Sequence, residues 1–62
     1  MDKLIRQAKQ YIKDNNGLVE IKELTKWKSQ GIIKGIRKVA FSSFMFDKYV
    51  IFADDTYETI WV

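Results

Sequence analysis

Leu4, Ile5, Ala8, Tyr11 and Ile12 recur at three- and four-residue intervals, with Arg6, Lys9, Gln10 and Lys13 between them. At about 100° per residue, this spacing gathers the apolar side chains into an arc of about 120° and turns the polar ones away from it. The pattern predicts an amphipathic helix over residues 2 to 14. Asn15-Asn16-Gly17 follows. Glycine and asparagine tolerate the left-handed backbone that closes helices, so the helix is expected to end there.

The apolar stripe has to be buried within a chain of 62 residues, which is room for a single domain, 1–62. A domain of this size buries only about 60% of the surface its unfolded chain exposes. Its apolar fraction of 47% and its nine aromatic residues suffice for one core and argue against intrinsic disorder. Cysteine is absent. Disulfides and thiolate zinc sites are thereby excluded, and a reducing, cytoplasmic setting is expected. No apolar run approaches the ~18 residues of a membrane span. The charged start, Asp2-Lys3, does not resemble a signal peptide.

The same composition disfavours catalysis. Histidine and cysteine are both missing, and with them the commonest general base and the best thiol nucleophile. Ser29, Ser42 and Ser43 have no histidine to activate them. Asp54-Asp55 is the one adjacent carboxylate pair, and it reads as a solvated turn rather than a metal site. The expectation is a protein that is not an enzyme, with no cofactor, no metal and no small-molecule substrate.

Further along, Leu18 to Ile21 favours a brief strand. Ile21, Leu24 and Trp27 at three-residue spacing predict a short helix to Trp27, with Lys22, Lys26 and Lys28 facing water. Ser29 is a candidate N-cap. From Ser29 to Ser42 the pattern is again helical, since Ile32, Ile33, Ile36, Val39 and Ala40 share one arc and Gln30, Lys34, Arg37 and Lys38 the other. Read as a strand, this segment places Lys34 and Lys38 among Ile32, Ile36 and Ala40, so the helix is preferred. Gly31 and Gly35 then each cost about 1 kcal/mol relative to alanine. Residues 44 to 52 and 57 to 62 are aromatic and β-branched around the polar turn 53 to 56, which predicts a hairpin joining 48–53 to 57–62. Leu4, Ala8, Tyr11, Leu24, Ile33, Ile36 and Ala40 are the expected core.

The order is α-β-α-α-β-β: an α+β domain of three helices and a C-terminal β-hairpin. With LVEIKEL (18 to 24) leading into the second helix, KSQGIIKGIRKVA (28 to 40) as the third and YVIFADDTYETIWV (49 to 62) as the hairpin, the chain resembles a small winged helix-turn-helix domain. The resemblance implies a third helix seated in the major groove of double-stranded DNA. Lys26, Lys28, Ser29, Gln30, Lys34, Arg37 and Lys38 would then meet DNA, with Gln30 and Arg37 suited to base edges and the lysines to phosphates. The sequence departs from that pattern at its turn, where Asp54, Asp55 and Glu58 stand in place of the basic residues of a DNA-binding wing.

Charge is unevenly shared. Residues 1 to 40 hold ten basic and four acidic side chains (10 − 4 = +6), and residues 41 to 62 hold one and four (1 − 4 = −3), which together make the net +3. A basic half points to a polyanionic partner. The aromatic surplus of the hairpin points to a second chain, with Tyr49, Ile51 and Trp61 as anchors of a homodimer or of another protein partner. The leading expectation is a small DNA-binding regulator of transcription or replication. The alternative is a protein-binding module or inhibitor acting through the aromatic and acidic hairpin. The small lysine-rich format suits a virus or mobile element.

Overall fold

The computed structural model describes residues 1–38 and 47–61. Among these the elements are α1 (Asp2–Asp14), α2 (Ile21–Ser29), β1 (Ile33–Lys38), β2 (Asp47–Phe52) and β3 (Tyr57–Trp61). The class is α+β, with an antiparallel sheet in the order β1-β2-β3.

α1 forms where the periodicity places it and stops as expected. Asn16 (φ 54°) and Gly17 (φ 87°) take left-handed backbone. The Asn16 amide donates to the Lys13 carbonyl at 3.2 Å and the Gly17 amide to that of Ile12 at 2.8 Å. These are the paired bonds of a Schellman closure, and they satisfy carbonyls the helix leaves unpaired. The buried stripe is Ile5, Ala8 and Ile12. Leu4, expected in the core, is instead 39% exposed, because the helix rolls Ile5 and Ile12 inward. Tyr11 lies at the margin of the core and meets Trp27 edge-on, with centroids 5.6 Å apart and planes at 88°.

α2 buries Leu24 and Trp27 and closes in the same way. The Gly31 amide donates to the Lys28 carbonyl at 3.1 Å and the Ile32 amide to the Trp27 carbonyl at 2.9 Å, with Gly31 at φ 75°. Gly31 is therefore the stop of α2. Ser29 does not start a third helix. It is the last residue of α2, and its hydroxyl donates to the Lys26 carbonyl at 2.9 Å.

The third helix expected over 29–42 is not formed in its described part, since residues 33–38 are a strand; residues 39–42, including Ala40, lie outside the described residues. The helix-like spacing of the sequence reflects a register shift between Ile33 and Gly35. A bulge at Lys34 inserts one extra residue, and so places Ile33 and Ile36 on the same face of the sheet. Three-residue apolar spacing, which normally marks a helix, here marks a bulged strand. The helix order of a winged helix-turn-helix is thus not met in these residues, although the hairpin stands where it was expected, as β2 and β3.

Both helices pack on one face of the sheet. Val50, Phe52 and Ile60 are fully buried there, in one cluster with Ile5, Ala8, Ile12, Leu24, Trp27 and Ile33. Burying a side chain of this kind stabilises the fold by about 1.5–3 kcal/mol. The expected strand at 18 to 21 reduces to one parallel bridge between Leu18 and Trp61. There the Trp61 amide donates to the Gly17 carbonyl at 2.7 Å and the Val19 amide to the Trp61 carbonyl at 2.9 Å. This bridge ties the α1–α2 connection to the end of β3. No described helix is long and apolar enough to cross a membrane.

Candidate functional site

Pairing across the sheet decides which side chains share its second face. Gly35 stands opposite Ile51 and Arg37 opposite Tyr49; Tyr49 stands opposite Thr59 and Ile51 opposite Tyr57. Arg37, Tyr49, Ile51, Tyr57 and Thr59 therefore lie on the face turned away from the helices. Tyr49 and Tyr57 meet obliquely, with centroids 5.7 Å apart and an interplanar angle of 63°. Tyr57 is 66% exposed. A Cβ at Gly35 would stand 3.5 Å from Arg37 Nη1, so the guanidinium folds back along β1 over the bare glycine. Arg37 is exposed.

Of the expected interface anchors, Tyr49 and Ile51 lie on this face, both half-buried. Trp61 does not extend it. Its indole turns to the edge of the sheet against Gly17, where a Cβ would stand 2.9 Å from Trp61 Cδ1. The residue missed from sequence is Tyr57. Its signal was its place in β3, two residues from Thr59 and four from Trp61, but the facing of that strand depends on the register.

The expected DNA-binding set is divided between α2 and β1. Lys26 pairs with Glu23 at 3.9 Å. Ser29 is bonded within α2, and Gln30 is its C-cap. Lys34, at the bulge, pairs with Asp55 of the turn. That pair is exposed and contributes little to stability, but it offsets one of the acidic charges at the hairpin tip. Arg37 faces the open side, while Lys28 and Lys38 lie on the helix side. With the helical scaffold gone, these seven residues form no single reading surface. Lys48, absent from the set, stands directly opposite Lys38.

Asp54 has a local role. Its Oδ1 accepts from the Thr56 amide at 3.1 Å and from the Thr56 hydroxyl at 2.5 Å. Those bonds, the hydroxyl first, hold its carboxyl below the usual carboxylate range. Asp55 sits at φ 70° in the same turn. Among the described residues, no group of three or more acidic side chains is placed to hold a metal ion.

No family model matches the chain, and neither the curated proteins nor the solved structures include a significant match to it.

Proposed function

We propose that this protein is a non-catalytic nucleic-acid-binding domain that holds a single strand on the open face of its sheet. The observation that carries this reading is the juxtaposition of an exposed tyrosine, Tyr57, its neighbour Tyr49 and the exposed Arg37 on one face of the sheet. Nucleobases stack on such rings whatever their sequence, and a guanidinium serves a phosphate or stacks on a base.

The sheet suits a single strand better than a duplex. The major groove, about 12 Å wide, admits a helix or a two-stranded ribbon. Three strands spaced about 4.8 Å apart, with tyrosines standing on them, are too broad to enter.

The test is fluorescence anisotropy with labelled single-stranded and duplex oligonucleotides across a salt series. Single strands should bind more tightly, and Tyr57→Ala should weaken them while the circular dichroism spectrum stays that of the parent. Equal or tighter binding of duplex, or indifference to Tyr57→Ala, would sink the reading.

A further inference from the structure

On the opposite side of the sheet, between α2 and the paired ends of β1 and β2, runs a groove. Ile21, Leu24 and Ile36 form its apolar lining, with Thr25 beside them and Lys28 and Lys48 at its rim. Lys38, paired in register with Lys48, adds a third cation at the same corner. Ile21, the first residue of α2, is 68% exposed, and neighbouring Leu18 is 59% exposed. Lys22 and Lys26 have carboxylate partners in Glu20 and Glu23. Lys28, Lys38 and Lys48 have none among the described residues.

Both features work against the isolated fold. Like charges directly opposite each other on adjacent strands repel. An isoleucine left largely in water at a helix start forgoes the gain of burial. One kind of partner relieves both at once: a surface with apolar side chains at its centre and carboxylates around them. We infer that this groove receives an acidic amphipathic segment of another protein, whose apolar residues cover Ile21 and Ile36 and whose carboxylates meet Lys28, Lys38 and Lys48. A nucleic-acid backbone would satisfy the lysines but leave the apolar lining uncovered. A second copy seating this same groove against its own would bring the two lysine sets together. The inference uses no residue of the open face and does not depend on what that face binds.

The experiment uses the full chain and three fluorescein-labelled synthetic helices. One carries leucines at i, i+3, i+4 and i+7 with glutamates on its flanks. The second keeps the glutamates and replaces leucine by alanine. The third keeps the leucines and replaces glutamate by glutamine. The first should bind, and the other two should bind at least about tenfold more weakly, the scale on which loss of an interface anchor is felt. Ile21→Ser and Lys48→Gln, both changes at side chains that carry none of the buried core, should each weaken the first peptide while leaving single-stranded oligonucleotide binding unchanged. Failure of the first peptide to bind overturns the inference. So does equal binding of the leucine-free peptide, which would make the corner a plain polyanion site. Sedimentation without peptide supplies the remaining outcome: a self-associated species dispersed by Ile21→Ser would assign the groove to a second copy instead.

Discussion

Trp61 closes over Gly17, with Trp61 Cδ1 2.9 Å from where a Cβ on the glycine would stand. The glycine is also held at φ 87°, a backbone conformation that costs an L-residue roughly 1–2 kcal/mol. Gly17→Ala therefore meets two penalties, the backbone and the indole. Gly31, at φ 75°, meets only the first, because its nearest neighbour is the flexible end of Met1 at 3.9 Å. Urea unfolding should rank Gly17→Ala as the more destabilising, with Gly31→Ala costing about 1 kcal/mol.

Core truncations should follow burial. Phe52→Ala removes a fully buried ring and should cost about 3–5 kcal/mol. Ile33→Ala should cost about 2–5 kcal/mol. Ile36 lies only at the margin of the core, so Ile36→Ala should cost less than Ile33→Ala in the same urea series. Equal losses at the two positions would mean that the bulge does not set their burial as described.

Asp54 offers a pH test. Its carboxyl is held below the ordinary value by the Thr56 hydroxyl and then the Thr56 amide. A group whose folded pKa is depressed adds stability above its unfolded pKa and loses it as pH falls through the folded one. The contribution of this exposed side chain should therefore fade only below the ordinary range of aspartate. Thr56→Val removes the hydroxyl bond and keeps the amide. In an NMR titration of the Asp54 carboxyl, the midpoint should move up towards the usual value without reaching it.

On the open face, Tyr57→Ala and Tyr49→Ala should each weaken single-strand binding by about 1–3 kcal/mol, the usual scale for one stacked base. The salt dependence should be shallow. Each phosphate contact to a single strand gives a log–log slope of about −0.7, and Arg37 is the cation that stands opposite Tyr49. Arg37→Gln should therefore flatten the slope by about that amount. A steep slope that survives Arg37→Gln would place the phosphates elsewhere on the molecule.

Much of this fold is legible in the residues themselves. α1 shows in the spacing of Ile5, Ala8 and Ile12, and its stop in Asn16-Gly17. β2 and β3 show in the β-branched and aromatic runs on either side of Asp54-Asp55. β1 does not show, because a bulge at Lys34 gives Ile33 and Ile36 a helical interval, and because Gly31, the stop of α2, reads as a weak point inside a longer helix. The open face was half legible. Tyr49, Val50, Ile51 and Phe52 are all apolar or aromatic, so alternation alone cannot tell their inner side from their outer one. Only the pairing with Thr59 and Tyr57 separates them, and pairing is a property of two distant segments rather than of either one. The cationic corner was hidden for the same reason: Lys38 and Lys48 become neighbours only across β1 and β2.

The bulge at Lys34 also bears on how the chain behaves in a crowd. β1 is an outer strand, and among the described residues nothing pairs with its free side. A straight, apolar outer strand offers a row of unused amides and carbonyls on which another chain can add itself. Here the row is broken at its second residue, and Lys34, Arg37 and Lys38 are all exposed along it. A kinked edge carrying repeated positive charge is a poor template for strand addition, and such edges keep sheet proteins from joining edge to edge. The irregularity that disguises β1 as a helix thus helps keep neighbouring molecules separate. Straightening the strand by deleting Lys34 should favour fibrillar aggregates over the dispersed protein.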